Sequence, residues 1–501
     1  MTESAPLEAD RPAAAEPEHL DVLVIGAGLS GINAAHHMET TCPWVRYAVF
    51  EGRERIGGTW DLFRYPGIRS DSDMFTFSYP WRPWPIERTI GRGEEIRQYI
   101  EDTARDDGSY SKIRFGHRIV RAEWSSTDSR WTVTVERMGR GGEAVETIEV
   151  TAGFVFSCTG YYRYDRGYLP EWEGMDDFGG QLIHPQAWPE DADLAGKRIV
   201  VIGSGATAVT LVPELAKISP HVTMLQRSPT YMVSLPTTNP PTKVLSAILP
   251  ERLRGDVLRW WYVLATLSMY KISRNAPGLM KRVLRKQLER QLPAGFDVDR
   301  HFTPSYDPWD QRLCVVTDGD LFKAIRRGTV EMRTDHIDAF TPTGLRLRSG
   351  ESIDADVIIS ATGLEVQIGG GTELFVDGEK VDPATKLTYK GSMLDGVPNM
   401  AMVIGYANAS WTLKSDLTCG FMARVLNHMR LTGAERVTAV NRDGETADGN
   451  LMGLSSGYIT RADDRLPRQG RKFPWRNYQS YIKDYRALHR SDVMDGVLDY
   501  R

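Results

Sequence analysis

The sequence predicts an α/β fold in which two Rossmann-like dinucleotide-binding domains are combined with a helical subdomain inserted in the second of them. An apolar strand, a glycine-rich turn and a helix-like stretch follow one another twice along the 501 residues, and a stretch dense in Leu, Arg and Lys follows the second copy. Repeated strand, turn and helix patterns are typical of parallel sheets covered by helices. At roughly 150 residues per domain, the chain has room for all of these units.

The first copy of the pattern, residues 21–38, contains the turn Gly26-Ala-Gly-Leu-Ser-Gly31. In a dinucleotide fold, Gly26 would make the tight turn, Gly28 would let the backbone approach a pyrophosphate, and Gly31 would allow close packing of the helix. The next strand ends in Glu51, twenty residues after Gly31, where such folds place the carboxylate that accepts the ribose hydroxyls. This spacing favours a dinucleotide site over a merely structural glycine turn.

The second copy leads from the strand at 198–202 into Gly203-Ser-Gly-Ala-Thr-Ala208, a turn of the G-x-G-x-x-A form. Its second strand ends in Gln226-Arg227-Ser228, so no acid stands where it would repel a 2'-phosphate. Arg227 would instead meet that phosphate with charge-assisted hydrogen bonds, which favours NADPH over NADH; a surface arginine beside an unselective site is the alternative. The predicted coenzyme-binding residues of this copy are Gly203, Ser204, Gly205, Ala206, Thr207, Arg227 and Ser228.

Charge and composition exclude several other classes of protein. Lys and Arg number 61 and Asp and Glu 66, giving a formal net charge of -5 without a sustained basic face, so no nucleic-acid partner is predicted. The 4 cysteines form no C-x-x-C pair, which excludes a redox-active disulfide and indicates the reduced thiols of a cytoplasmic protein. The histidines lack metal-ligand spacing, and no metal site is predicted.

Two apolar or terminal segments bear on targeting and on membranes. The first 20 residues lack a basic segment followed by an apolar core, so we predict a disordered lead-in and no secretory signal. The apolar segment Trp260–Tyr270 is shorter than the roughly 20 residues that span a bilayer. Its aromatic run Trp260-Trp261-Tyr262 could pack within the helices, form a wall of a substrate cavity or touch a membrane surface.

A third motif, between the two glycine turns, reads F-x-G-x-x-x-H-x-x-x-W-P and resembles the fingerprint of type I Baeyer-Villiger monooxygenases, which are class B flavoprotein monooxygenases. A second family pattern is intact as Gly57-Gly-Thr-Trp60, Tyr65-Pro-Gly67 and Asp71. Longer matches, such as 58–73 and 408–414, are most similar to the ethionamide-activating subgroup. The fingerprint residues are Phe178, Gly180, His184, Trp188 and Pro189.

This resemblance implies an activity and a set of site residues. Its members reduce FAD with NADPH, form a C4a-peroxyflavin with O2, and insert one oxygen atom next to a ketone carbonyl to give an ester or lactone. The family's active-site arginine corresponds to Arg312 and the acid that orients it to Asp71. The residues expected beside the flavin are Gly58, Thr59, Trp60 and Asp71. Oxygenation of sulfides, thioamides or amines by the same intermediate and an electron-transfer flavoprotein remain alternatives.

Two strand ends imply a division of the chain, and the resemblance implies a role for the fingerprint. The segments 154–160 and 357–363 both end in Thr-Gly, and such small-residue turns are typical of chain crossings between two nucleotide-binding domains. We expect a disordered tail over residues 1–19, an FAD-binding domain over 20–161 and 363–501, and an NADPH-binding domain over 162–362 whose helical subdomain spans about 235–300. His184 and Trp188 are expected to couple the domains without touching substrate, although an ordinary hydrogen-bonded histidine at a domain junction is an equal interpretation. Asn408 and Trp411 could line the cleft or pack in the core.

Overall fold

A computed structural model describes residues 16–501 except Arg312, Leu454 and Ser455, and most of the predicted N-terminal tail therefore lies outside the described residues. The strands are β1 Glu18–Ile25, β2 Tyr47–Glu51, β3 Ile113–Phe115, β4 His117–Ser125, β5 Arg130–Met138, β6 Ala144–Ser157, β7 Gln181–Ile183, β8 Ile199–Ile202, β9 Val222–Gln226, β10 Met232–Leu235, β11 Cys314–Thr317, β12 Val330–Thr334, β13 Ile337–Thr341, β14 Gly344–Leu347, β15 Ser352–Asp354, β16 Val357–Ser360, β17 Glu373–Val376, β18 Glu379–Lys380, β19 Thr388–Tyr389, β20 Met393–Leu394, β21 Met400–Met402, β22 Val437–Ala439, β23 Ala447–Asn450, β24 Arg468–Gly470 and β25 Leu498–Tyr500.

The α-helices alternate with these strands in the first part of each unit and form a continuous helical segment between β10 and β11. They are α1 Leu29–Thr41, α2 Thr59–Leu62, α3 Met74–Phe77, α4 Gly93–Asp106, α5 Ala206–Leu215, α6 Pro240–Ile248, α7 Glu251–Asn275, α8 Pro277–Gln291, α9 Val298–Phe302, α10 Asp320–Arg327, α11 Trp411–Thr432, α12 Gly457–Thr460 and α13 Tyr481–Asp484.

The larger sheet forms the first unit, and its parallel part has the order β6, β1, β2, β3. The long strand β6 pairs with β1 along one edge and, along the other, with antiparallel β5 and then with parallel β21, which returns from much later in the chain. Helix α1 packs between β1 and the buried face of α11, whose residues Leu417, Phe421 and Val425 belong to the same core. The first unit is thus assembled from two segments that are far apart in sequence.

The second unit is a parallel sheet of order β12, β9, β8, β16, β7. All four residues of β8 and of β16 are buried, as expected for central strands of a parallel sheet that is covered on both faces. These two sheets confirm the prediction of two Rossmann-like units in an α/β fold. Helices α6 to α9 lie between β10 and β11, and they break at Pro250 and Pro277, where proline cannot continue a helix.

The chain crosses between the units twice, and the two crossings lie side by side. Tyr162 and Val366 form an antiparallel bridge, and the amide of Gln367 donates to the carbonyl of Tyr161 at 3.0 Å. The amide of Arg163 donates to the carbonyl of Glu365 at 2.9 Å. The crossings therefore form a short two-stranded ribbon that connects the two units.

The N-terminal boundary predicted from the sequence is wrong by two residues. The sequence predicts a disordered tail through residue 19, but Glu18 and His19 belong to β1 and pair with Val150 and Thr151 of β6. The Glu18 carboxylate also accepts hydrogen bonds from Arg46 and Arg114 at 2.7 and 2.6 Å. Sequence reasoning counted only the apolar residues of this strand, whereas the long partner strand and the two ion pairs extend it.

Candidate functional site

The first glycine turn connects β1 to α1, and a different structural reason requires glycine at each of its three glycine positions. A Cβ on Gly31 would lie 1.8 Å from the carbonyl oxygen of Gly26, so only glycine lets α1 pack this closely on the turn. Gly26 has a φ of +100°, a conformation that other residues rarely adopt. Gly28 caps α1, so the free N–H groups of the first helical turn border the space in front of it. This is the arrangement that binds a pyrophosphate.

Glu51 ends β2 beside this turn. Its carboxylate accepts hydrogen bonds from the backbone N–H groups of Ala27 at 2.8 Å and Arg53 at 2.9 Å. Burial raises the pKa of Glu51, while these two hydrogen bonds oppose the rise. The carboxylate is therefore held in one position at the edge of the turn, where it can also accept ribose hydroxyls.

A second glycine loop faces the first turn. A Cβ on Gly58 would lie 3.1 Å from the Cα of Gly28, so the two backbones approach each other closely. Thr59 and Trp60 begin α2 immediately after this loop, and the Trp60 ring packs edge-on against Phe77 at 5.6 Å. The loop thereby places Thr59 and Trp60 on the wall of the space in front of α1.

That space is a cavity of about 420 Å³ lined by both units. Its wall includes most of the predicted residues of the first unit together with the start of α5 from the second unit. The predicted site residues that line it are Gly26, Gly28, Glu51, Gly58, Thr59, Trp60, Asp71, Ala206 and Thr207. Gly31 lies behind the turn and Gly203 beneath the second turn, so both shape the site without facing the cavity.

The second glycine turn connects β8 to α5 and is more open than the first. A Cβ on Gly203 would lie 2.4 Å from the carbonyl of Ala361, whereas a Cβ on Gly205 would meet nothing within 4 Å among the described residues. Gly205 caps α5, and the Ser204 hydroxyl is 2.7 Å from that of Thr230. The open side of Gly205 leaves room for a phosphate at the start of α5.

The residues at the end of β9 separate into one buried and two exposed side chains. Gln226 is buried, and its amide donates to the carbonyl of His301 at 2.7 Å and to the Thr334 hydroxyl at 2.8 Å. Arg227 and Ser228 are exposed at the rim of the turn. The amide predicted to replace a ribose-binding acid is therefore a structural link, and Arg227 and Ser228 remain to contact a coenzyme.

The fingerprint lies at the ribbon that connects the units. The Nε2 atom of His184 is 3.3 Å from the carbonyl of Gly363, and a Cβ on Gly167 would lie 1.9 Å from the imidazole. Burial lowers the pKa of His184, while hydrogen bonds to the carbonyls of Gly363 and Tyr168 oppose this. The imidazole thus contacts both crossings, and His184 is not itself among the residues that line the cavity.

The other fingerprint residues support the same junction. Phe178 packs on Phe340 with a ring distance of 6.0 Å, and a Cβ on Gly180 would lie 2.5 Å from the carbonyl of Asp356. Trp188 is half-buried against the core of the second unit, and Pro189 follows it on the surface side. Phe178 and Trp188 thus pack in two different cores of the second unit, and none of the five fingerprint residues is itself part of the cavity lining.

The two predicted catalytic residues differ in what the structure describes. Asp71 lines the cavity on the loop that follows the second glycine pattern. Arg312 lies outside the described residues. Close to it in sequence, Val315 of β11 also lines the cavity.

The cavity wall also contains residues that sequence reasoning did not select. The Arg69 guanidinium donates to Asp320 of the second unit at 2.7 Å, and its Nη2 atom has no hydrogen-bond partner among the described residues. Tyr164 follows the first crossing, and burial together with the nearby Glu51 carboxylate raises its pKa to about 12. Trp411 does line the cavity, and its indole N–H donates to Ser30 at 2.8 Å. The position of Tyr164 just after the first crossing was the one available signal.

The described residues give no sign of metal or disulfide chemistry. No group of three or more His, Cys, Asp or Glu side chains suited to a metal ion occurs in the part of the chain that the structure describes. No disulfide joins the 4 cysteines, all of which are buried, and burial raises the pKa of Cys42 to about 12.

The first glycine turn and the start of α5, the helix that follows the second glycine turn, border one cavity, and this pair of Rossmann turns defines a protein with two dinucleotide sites. Residues 89–370 match the family of flavin-binding monooxygenase-like proteins, and residues 24–84 match an NAD(P)-binding Rossmann-like domain. The chain belongs to the flavin-binding monooxygenase-like family. This confirms the flavoprotein monooxygenase class predicted from the sequence motifs, and the Baeyer-Villiger reaction stays a prediction.

Monooxygenases of similar length are related to this chain along almost their whole sequences. The chain is 49% identical over 485 residues to the FAD-containing monooxygenase EthA of Mycolicibacterium smegmatis, covering 96% of this chain and 97% of that protein. It is 44% identical over 485 residues to the probable FAD-binding monooxygenase AlmA of an Acinetobacter species, covering 96% of each chain. The resemblance therefore extends along nearly the whole of both proteins.

Solved structures of lower sequence identity share the fold. An oxidised steroid monooxygenase bound to NADP superposes with a TM-score of 0.75 at 20% identity, covering 96% of this chain and 99% of that one. An open cyclohexanone monooxygenase superposes with a TM-score of 0.73 at 20% identity, covering 97% and 100%. The arrangement of two Rossmann units and a helical insert is thus a shared fold.

Proposed function

We propose that this chain is an FAD- and NADPH-dependent monooxygenase that inserts one oxygen atom from O2 beside a ketone carbonyl, yielding an ester or lactone. The observation that carries the proposal is the single cavity bordered by the first glycine turn, by Asp71 and by the start of α5. A flavin, a nicotinamide and a carbonyl compound must meet at one place for this reaction. FAD is assigned to residues 18–161 with 363–501, and NADPH to residues 162–362.

The residues of the first turn fit FAD. The close approach of Gly28 and Gly58 leaves no side chain between the start of α1 and the facing loop. The N–H groups of α1 would bind the pyrophosphate, and Glu51 would accept the ribose hydroxyls. The rings of Trp60 and Trp411, both on the cavity wall, would pack on the flavin side of the site.

The residues of the second turn fit NADPH. The open side of Gly205 accepts the pyrophosphate, and the exposed Arg227 and Ser228 accept the 2'-phosphate. A second cation, Arg461, stacks on Tyr168 at 3.6 Å; burial lowers its pKa, and repulsion from Arg227 contributes. Two neighbouring guanidinium groups create a positive potential that suits a dianionic phosphate.

The chain's own groups determine what the bound cofactor can do. FAD, once reduced by NADPH, supplies the reaction with O2 that delivers one oxygen atom to the ketone while the other leaves as water. Arg312 stays protonated in a dry site and would hold the developing negative charge on the transferred oxygen and on the carbonyl oxygen. Asp71 would orient that guanidinium from the cavity wall. Closure of the site by apolar and aromatic side chains would exclude water.

Product analysis under ¹⁸O2 tests the proposal, with NADPH and either a linear ketone or an aryl alkyl sulfide. We expect the ester with one labelled oxygen, NADP+ and water, and we expect Arg312→Ala to retain FAD but to release hydrogen peroxide in place of ester. Arg312→Lys is the matched control and should retain part of the activity. If labelled sulfoxide forms and no ester does, the proposal is wrong and the enzyme oxygenates heteroatoms. NADPH oxidation without an oxygenated product would indicate electron transfer.

A further inference from the structure

The outward side of helices α6 and α7 carries a row of exposed apolar side chains, which we call the outer helical face. It consists of Ile248, Leu253, Val257, Trp261, Leu264 and Ile272. On α7 these residues recur every three, four or eight positions, which places them on one stripe of the helix. Ile248 is 70% exposed and Trp261 47%, so this stripe is a solvent-facing surface in the described chain.

The opposite side of α7 is firmly attached to the first unit. The Arg259 guanidinium donates to the carbonyl of Ser78 at 2.8 Å, and the ring of Tyr262 stacks on Phe75 at 5.2 Å. Gly255 lies against Pro83, where a Cβ would come within 3.0 Å of the proline ring. The helix thus has two apolar sides, and the attached one fixes the outer helical face toward solvent.

The charge around the outer helical face is opposite to that of the whole chain. Residues 240–291 contain 11 Lys and Arg but 3 Asp and Glu, although the complete chain has a net charge of -5. Lys243, Arg252, Lys271, Arg282 and Lys286 are all exposed. Exposed apolar residues flanked by basic ones match an anionic lipid surface. A second copy placed on the same face by two-fold symmetry would oppose like charges.

We propose that the outer helical face binds the surface of an anionic lipid bilayer. Trp261 and Leu264 enter the boundary between headgroups and acyl chains, and the flanking Lys and Arg side chains contact the phosphates. The attachment is interfacial, since no helix among the described residues is long and apolar enough to cross a bilayer.

Vesicle flotation of the FAD-loaded protein tests this. Vesicles of phosphatidylcholine containing about one third phosphatidylglycerol should carry about ten-fold more protein than pure phosphatidylcholine vesicles at low salt, and 0.5 M NaCl should remove most of that excess. The double variant Trp261→Ala/Leu264→Ser should lose flotation, and Arg282→Gln/Lys286→Gln should weaken it. Leu431→Ser is the matched control, because Leu431 is 85% exposed on α11, in the first unit.

NADPH oxidation by each variant verifies that the fold is intact, because none of these residues lines the cavity. Equal flotation of the Trp261/Leu264 and Leu431 variants would overturn the proposal, as would equal flotation on both vesicle types. Sedimentation velocity tests whether a second copy of this chain covers the outer helical face. A dimer that the Trp261/Leu264 variant dissociates would show that the face joins two copies of this chain, and the proposal would fall.

Discussion

The two glycine turns have the same strand, turn and helix order, yet they use the end of the second strand differently. In the first unit Glu51 lines the cavity and accepts two backbone N–H groups of the turn region. In the second unit Gln226 points into the protein and holds His301 and Thr334, while Arg227 and Ser228 lie at the exposed rim. The residue type at the end of this strand therefore indicates which coenzyme binds only when it is also known whether the side chain points toward the coenzyme site or into the protein.

The turns also differ in how tightly the protein itself fills them. The first turn is closed by its own helix at Gly31, whereas the second turn has Ala208 at that position and is open at Gly205, the counterpart of Gly28. The first glycine pattern is a requirement of the fold, and part of the second is a requirement of the ligand. A glycine-to-alanine substitution should therefore reduce stability in the first turn and coenzyme binding in the second.

The largest effect is expected for Gly31→Ala. The added Cβ would lie 1.8 Å from the Gly26 carbonyl, so the turn or the helix must move, at a cost of about 3 kcal/mol of unfolding free energy. Gly205→Ala meets nothing within 4 Å among the described residues and should change the thermal midpoint little, while raising the KM for NADPH. Thermal melts and steady-state kinetics measure both. Similar melting temperatures for the two variants would contradict the distinction.

Arg227→Ala should have the next largest effect. Losing a charge-assisted hydrogen bond to the 2'-phosphate should raise the KM for NADPH about 10- to 100-fold and leave that for NADH unchanged. Arg227→Lys, which keeps the charge, should fall between the variant and the parent. An equal rise for both coenzymes would remove the assignment of the 2'-phosphate to this side chain.

Gln226→Ala should have the opposite effect to Arg227→Ala, because it should lower stability without changing coenzyme binding. It leaves the His301 carbonyl without its donor, while the Thr334 hydroxyl keeps its hydrogen bond to the His301 ring, and the loss should lower the unfolding free energy by about 1–2 kcal/mol. Because the amide faces the protein, the KM for NADPH should not change. Denaturant titration and initial rates distinguish the cases, and a selective rise in KM would show that Gln226 does contact the coenzyme.

The smallest effect concerns the ribbon between the two turns. Burial lowers the pKa of His184 in the folded protein, so between about pH 6.5 and the lower folded value the unfolded chain binds more protons. Stability should therefore decrease as the pH falls through that window. Thermal midpoints of the parent and of His184→Gln at pH 7.5 and pH 5.5 measure this. The variant should show a shallower decline, and identical declines would exclude His184 as its source.

Local patterns were sufficient to predict the elements that carry the site. The glycine spacing, the strand ending at Glu51 and the crossings after residues 160 and 363 depend on residues that are neighbours in sequence. Contacts between segments that are far apart in sequence could not be predicted from these local patterns. The inward direction of Gln226 depends on His301 and Thr334, and the position of Arg69 depends on Asp320.

The two-stranded ribbon has a consequence for biosynthesis. Because the second unit is inserted between β6 and the strands β17 and β21 that complete the first sheet, a ribosome releases the whole insert before the first sheet can be finished. The insert has a parallel sheet of its own, and its core also receives Phe63 and Tyr65 from the part of the first unit that is synthesised before it. Strands β4 and β6 keep unpaired edges until β17 and β21 are made. The growing chain can therefore complete the sheet of its second unit before that of its first.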